Sequence, residues 1–284
     1  MTNAPAGPLT QEQVLAFHRD GYVVLPGFYD VPLVIEPIQR GIHQVIQIVC
    51  RQRGIPAKGA FLAEDFDDGY AALIAKDRSL GGVVYDAAKQ LAPFTRWVNH
   101  PLHEALVRQL RRSTCVGLAA GGFGVRIDNP NEERFRADWH QEYPAQLRSL
   151  DGINFWSPLV TVTDEMGPVQ FCRGSHKAGL LPVLTRDPDH PEKTGAYGLV
   201  LKDREKIVAG YSVDAPRSRP GDLVILDFLT LHQSGYNRST RARWSMQARF
   251  FNFEEATGQR IGWKGSFAAG LDFATVHPEL VADR

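Results

Sequence analysis

The chain has 284 residues, enough for one large domain or two small ones with an ample core, and its composition of 43% hydrophobic and 23% charged residues is that of an ordinary globular protein. Thirty-two basic residues balance thirty-two acidic ones, so no global field draws in nucleic acid or an anionic membrane surface. Cys50, Cys115 and Cys172 are odd in number and far apart, which argues against a disulfide framework or a CxxC zinc site and fits a reducing cytosol.

The opening MTNAPAGPLTQEQ has neither the basic nor the apolar region of a secretory signal, and no run approaches the roughly 20 apolar residues that span a bilayer. A soluble, cytoplasmic protein is the expectation. Thr10-Gln11-Glu12-Gln13 has the form of a capping box, so a helix carrying Val14, Leu15 and Phe17 should start there and stop at Gly21. YVVLPGF (22–28) reads as a short strand ended by Pro26-Gly27. From about residue 31 to 113 apolar residues recur at helical spacing, and Pro101 suits a first helical turn. His18, His43, His100 and His103 fall in these helices and read as surface or capping residues.

After Ser113 the period changes. VGLAAGGFGVRI, GINFWSPLVTV, GPVQFC, GDLVILDFLTLH and RWSMQARFFNF are β-branched and aromatic runs separated by Gly, Pro, Asn and Asp. Most follow one another with no helix of about a dozen residues between them, which favours an antiparallel barrel or sandwich over a parallel sheet. The polar stretch 176–215 is too long for an ordinary connection and reads as a lid or insertion. The expected organisation is one domain over 1–284. Its parts are a helix-rich layer (1–113), a β core (about 114–255) and a loop insertion (about 176–215).

Within ADWHQEYPAQ (137–146), His140 and Glu142 stand two apart, and on an extended strand both would point to one face. His232 ends the apolar GDLVILDFLTLH, where packing gives no reason for an imidazole. Two histidines and a carboxylate are the facial donor set of non-haem iron oxygenases, which leaves adjacent positions open for a bidentate co-substrate and dioxygen. Eleven residues after His232, Arg243 opens RWSMQARF. Its guanidinium has the fork geometry to hold a carboxylate. Alternation puts Arg243, Ser245, Gln247 and Arg249 on one face and Trp244, Met246, Ala248 and Phe250 on the other; which row faces inward is left open by the pattern.

WHQEY, GPVQFCRGSHK, LHQSGYN and Arg243, with the F-x-x-x-G-Y-V-V-L-P-G-F opening from Phe17 to Phe28, resemble the phytanoyl-CoA dioxygenase family of iron(II)/2-oxoglutarate oxygenases over roughly residues 10 to 255. The resemblance implies a mostly β fold, a double-stranded β-helix (a jelly-roll or cupin-like barrel) with an N-terminal helical layer. It implies His140, Glu142 and His232 as ligands of Fe(II). Arg243 would clamp the far carboxylate of 2-oxoglutarate, with Ser234 beside it, Trp156 near the co-substrate and Arg126 facing substrate or co-substrate. Glu142 stands where most relatives have Asp and is one methylene longer, so the backbone must sit back or the metal must shift. Because related halogenases leave that position small, the retained carboxylate favours hydroxylation or another oxidation.

The implied activity is a dioxygenase that uses Fe(II), 2-oxoglutarate and O2 to oxidise an unactivated C–H of a small molecule, with neither nucleic acid nor membrane as partner. A secondary or polar metabolite is the expected substrate. The competing readings are a cupin-like metal enzyme without 2-oxoglutarate, such as an isomerase, and a non-catalytic binding barrel. Trp139, Tyr143 and Phe135 flank the ligands and are candidates for the substrate wall, with core packing as the alternative. His176 reads as a turn residue, and Asp227 as the partner of a core arginine.

Overall fold

Gln13 N–H donates to Thr10 Oγ1 at 3.2 Å and Thr10 N–H to Gln13 Oε1 at 2.8 Å, so two of the otherwise orphaned donors at the helix start satisfy each other. They open α1 (Gln11–Asp20), and Gly21, left-handed at φ 84°, ends it. The computed structural model describes residues 7–57, 59–191, 193, 198–266 and 270–282. After β1 (Tyr22–Leu25) and a π turn (Val31–Ile35) come α2 (Glu36–Gln52), α3 (Tyr70–Lys76), α4 (Leu80–Ala88), α5 (Ala92–Val98) and α6 (Pro101–Arg111). Pro101 occupies the first turn of α6, where the missing N–H is harmless, and His100 caps it by accepting from Leu102 N–H.

The rest of the chain adds β2 (Val116–Asp128), α7 (Glu142–Gln146), β3 (Ile153–Pro158), β4 (Val169–Cys172), β5 (Val183–Leu184), β6 (Val200–Leu201), α8 (Arg204–Val208) and β7 (Val213–Asp214). It closes with β8 (Leu223–Asp227), β9 (His232–Ser234), β10 (Arg243–Asn252), α9 (Ala256–Ile261) and α10 (Phe273–Val276). The named strands pair antiparallel throughout. One sheet runs β1-β8-β3-β10-β2, a second β7-β4-β9, and β5 pairs with β6. Fold class is thus mixed, antiparallel sheets with helices packed against them.

On β10 the apolar row faces the helices. Trp244 is fully buried, packs edge-on to Tyr70 and Phe66, and donates Nε1–H to Asp67 at 2.9 Å. Gln39 on α2 bonds Leu159 O, and α6 sets His103 against Phe155 and Phe250. The polar row, Arg243 to Arg249, therefore turns toward the space between the two sheets, which settles what alternation left open.

Two helical histidines are core residues rather than surface ones. His43 and His103 are 2% and 0% exposed. His103 donates from Nδ1 to Val98 O and accepts the Tyr29 hydroxyl at Nε2, 2.6 Å away, while His43 reaches Phe66 O. A helical position says nothing of which face is buried; here both imidazoles are admitted to the core because each has partners. The stretch 176–215 is more structured than a loop, carrying β5, β6, α8 and β7. Gln141 fastens it, donating to Gly179 O and accepting from Leu181 N–H. Arg111 and Asp227 form the expected buried ion pair at 2.7 Å. Among the described residues no helix is long and apolar enough to cross a membrane.

Candidate metal centre

His140 and His232 are bridged backbone to backbone, each N–H donating to the other's carbonyl at 3.0 and 3.1 Å. Their rings lie 4.2 Å apart between centroids. Each Nδ1 rests on the carbonyl oxygen two residues earlier: Asp138 O at 2.6 Å and Thr230 O at 3.0 Å. A carbonyl only accepts, so Nδ1 carries the proton and Nε2 presents its lone pair, the arrangement that prepares imidazoles as metal ligands. Burial, then the adjacent His232, pushes the His140 pKa down to about 4, which keeps the ring neutral. Phe171 stacks loosely over His232, and Tyr22 over Phe171.

Glu142 joins them by a different route from the one the sequence suggests. The segment is not a continuous strand: Gln141 is extended, and Glu142 opens α7, with its N–H on Phe228 O at 2.8 Å. The chain therefore recedes at Glu142, and the longer side chain reaches back until Oε2 is 3.6 Å from His232 Nε2. One ligating atom from each of His140, Glu142 and His232 lies within 4.8 Å of the others. Among the described residues this is the one such group of His, Cys, Asp or Glu.

Arg249, unassigned by sequence, donates Nε–H to Glu142 Oε1 at 2.6 Å, and Asn154 donates to Oε2 at 3.2 Å. Burial opposes the charge on Glu142, but the Arg249 guanidinium outweighs it and holds the carboxyl well below the usual range. The charged carboxylate and two imidazoles with Nδ1 tied back to carbonyls together suit a divalent transition metal. Alternation already placed Arg249 in the row of Arg243; its partner lies 107 residues away in sequence, so the pair becomes visible only through the fold.

The donors open on a small chamber of about 60 Å³ between the sheets, whose wall includes Arg126, Asn154, Trp156, Phe171 and Ser234. Arg243 is not in that wall. Only 1% exposed, it donates to Asp128 Oδ2 at 2.9 Å and to Met166 O at 3.4 Å, and Arg126 grips the same Asp128. Arg243 Nε and Ser245 Oγ, both buried, have no hydrogen-bond partner among the described residues. Orphaned buried donors of this kind ask for an acceptor that the protein does not itself supply.

Arg126, Gln247 and Arg249 also line a second, larger cavity of about 480 Å³. Phe135 is at its wall, 44% exposed. Trp139 and Tyr143 line neither space. Trp139 packs against the cluster of Cys172, Leu201 and Leu231, and Tyr143 is fully buried beside Phe228 and Phe273 with its hydroxyl on His277. The bridge at His140 and the helical turn at Glu142 aim these neighbours away from the donors. His176 is structural, bonding His18 O from a short 3-10 turn.

Antiparallel sheets flanked by helices, with two imidazoles and a carboxylate gathered between them, define a non-haem metal enzyme of the two-histidine, one-carboxylate class. The chain belongs to the phytanoyl-CoA dioxygenase (PhyH) family, whose model matches residues 17–245. It is 23% identical over 257 residues to the ectoine dioxygenase of Halomonas elongata, which spans 84% of this chain and 68% of that one. Two solved structures share the fold. The epimerase SnoN in complex with Fe3+, alpha ketoglutarate and nogalamycin RO superposes at a TM-score of 0.54 with 20% identity, covering 85% of this chain and 83% of that chain. EctD from S. alaskensis with 2-oxoglutarate and 5-hydroxyectoine gives 0.54 with 15% identity, over 88% and 79%.

Proposed function

We propose that the protein is an Fe(II)- and 2-oxoglutarate-dependent dioxygenase that hydroxylates an unactivated C–H of a small molecule. The observation that carries this reading is the convergence of His140, Glu142 and His232, with both Nδ1 atoms tied back to carbonyls, inside a PhyH-family chain. The two larger sheets are read as the faces of a double-stranded β-helix, and residues 1–284 as one oxygenase domain. Three free, separate cysteines fit a reducing cytoplasm.

His140 Nε2, His232 Nε2 and Glu142 would hold the iron; together with 2-oxoglutarate and O2, the metal supplies the oxidising power that the side chains lack. The chain's own task is placement. Arg243, its guanidinium fixed by Asp128, and the hydroxyls of Ser234 and Ser245 would receive the far carboxylate of 2-oxoglutarate. The unpartnered Arg243 Nε and Ser245 Oγ support that assignment. Trp156 would wall the co-substrate, and Arg126 would stand between co-substrate and substrate. Glu142 fills the position that a halide would need, which favours hydroxylation. A metal enzyme without the co-acid would leave Arg243 and Ser245 their orphaned donors.

Succinate formation tests the proposal. Iron-loaded protein supplied with 2-oxoglutarate and O2 should form succinate slowly even without substrate, and His232→Ala should form none. Iron-loaded wild type that binds the metal yet makes no succinate would overturn it.

A further inference from the structure

The larger cavity, rather than the chamber at the donors, has the dimensions of a ligand site: about 480 Å³ falls in the usual range of roughly 300–1,000 Å³ for small-molecule pockets. Parts of its wall are bare backbone. Gly82, inside α4, and Gly121, on β2, have nothing within 4 Å of where a Cβ would stand, and Gly124 on β2 would meet only the aliphatic stem of Lys89 at 3.5 Å. Gly121 is left-handed at φ 74°, which by itself favours glycine, but neither packing nor backbone conformation explains the missing side chains at Gly82 and Gly124. Glycine within a helix is moreover less favourable than alanine by about 0.5–1 kcal/mol. Unfilled backbone on both a helix and a facing strand leaves a slot with flat walls. Rings of Tyr85, Phe123 and Phe135 border it.

The charged groups in this wall are all arginines: Arg78, Arg126 and Arg249. Each is held by a carboxylate that is not in the wall, namely Glu132, Asp128 and Glu142. Arg249 spends Nε, Nη1 and Nη2 on Glu142, Gly122 O and Gln247, and Arg126 spends Nε and Nη2 on Asp128 and Phe135 O, whereas Arg78 gives Nε and Nη2 to Glu132 and keeps Nη1 at the cavity. Asn129, 5% exposed and in the same wall, has an Oδ1 without a partner among the described residues. Arg78 and Phe135 stand together at the exposed end, 5.5 Å from guanidinium carbon to ring centre. Arg126, Gln247 and Arg249 stand at the end shared with the metal donors.

We propose that this cavity takes a planar ring compound bearing an anionic oxygen edge, a carboxylate or phenolate. The flat body lies between the glycine surfaces of α4 and β2, its anionic edge on Arg78, and its opposite edge reaches the doorway to the donors. The inference rests on the oxygenase reading in placing the reacting edge at that doorway. A long aliphatic chain would not use the flat walls, and a cation would meet the Arg78 guanidinium in a wall that holds no carboxylate.

Calorimetry on the full-length, metal-free chain tests it with anthraquinone-2-carboxylate, its trimethylammoniomethyl analogue and the non-planar decalin-2-carboxylate. One charge-assisted hydrogen bond is worth about tenfold in affinity, so the planar carboxylate should bind at least about tenfold more tightly than the planar cation. Arg78→Gln should erase that difference. Gly82→Leu, placed in open space on a helix, should keep or raise the melting temperature and abolish binding of the planar carboxylate. Equal binding of anion and cation, equal binding of decalin-2-carboxylate, or unchanged binding by Gly82→Leu would each overturn the proposal. Because no metal is used, failure here is separable from failure of the oxygenase reading, which succinate formation measures.

Discussion

Replacing Arg249 by methionine keeps much of the side-chain volume and removes the cation that faces Glu142. The pair is buried, with the carboxylate side chain 4% and the arginine 15% exposed, and Nε lies 2.6 Å from Oε1. Removing one partner of such a pair leaves an uncompensated charge and costs about 3–5 kcal/mol. For a chain of this size one kcal/mol corresponds to roughly 2 °C in melting temperature, so Arg249→Met should melt about 6–10 °C below wild type when metal-free. A divalent ion bound at His140, Glu142 and His232 replaces the missing positive charge. Saturating Ni(II), chosen because it is redox-inert here, should therefore recover more than half of the deficit beyond the stabilisation it gives wild type. Differential scanning calorimetry with and without Ni(II) reads both quantities. A metal-free variant within 1 °C of wild type would refute the ion-pair argument, as would a deficit of equal size in the metal-free and Ni(II) forms.

Arg243→Lys keeps the charge but loses the fork, so KM for 2-oxoglutarate should rise about 10–100-fold while succinate formation at saturation changes far less; an unchanged KM would remove Arg243 from the co-substrate site. His103 is held neutral by burial, its pKa lowered to about 3 from an ordinary 6.5. The unfolded chain binds that proton first, so this contribution is intact above pH 6.5 and is lost as pH falls toward 3, by about 1.4 kcal/mol per pH unit. Urea midpoints between pH 7.5 and 4.5 should show a shallower decline in the double variant His103→Leu/Tyr29→Phe, and parallel curves would exclude His103 as a source. Thr10→Ala removes one half of the capping box and should cost about 1 kcal/mol, read as a drop of roughly 2 °C.

How much of this was legible in the sequence depends on whether the signal is local. The caps of α1, Pro101 at the start of α6 and the change to strands after Ser113 are set by neighbours within a few positions, and they appear as read. Residue type and spacing make His140, Glu142 and His232 candidates, the family resemblance implies them as ligands, and the fold gathers their donor atoms. A shared strand face is not what brings them together, since Glu142 stands at a helix start rather than on a strand. Arg249 was visible as a member of an alternating row, yet its link to Glu142 is tertiary. Trp139 and Tyr143, adjacent to the donors in sequence, point into separate apolar clusters because the chain turns at His140 and Glu142. The burial of His43 and His103 likewise depended on which helix face met the sheet.

The central claim is that His140, Glu142 and His232 hold iron in a form that chelates a 2-oxo acid secured by Arg243. Anaerobic titration of the metal-free protein with Fe(II) and then 2-oxoglutarate, followed by visible absorption, tests it most directly. The account predicts a weak metal-to-ligand charge-transfer band in wild type that is lost in Arg243→Ala at the same co-substrate concentration. Iron binding with no such band at saturating 2-oxoglutarate would contradict it and leave a metal site without this co-substrate.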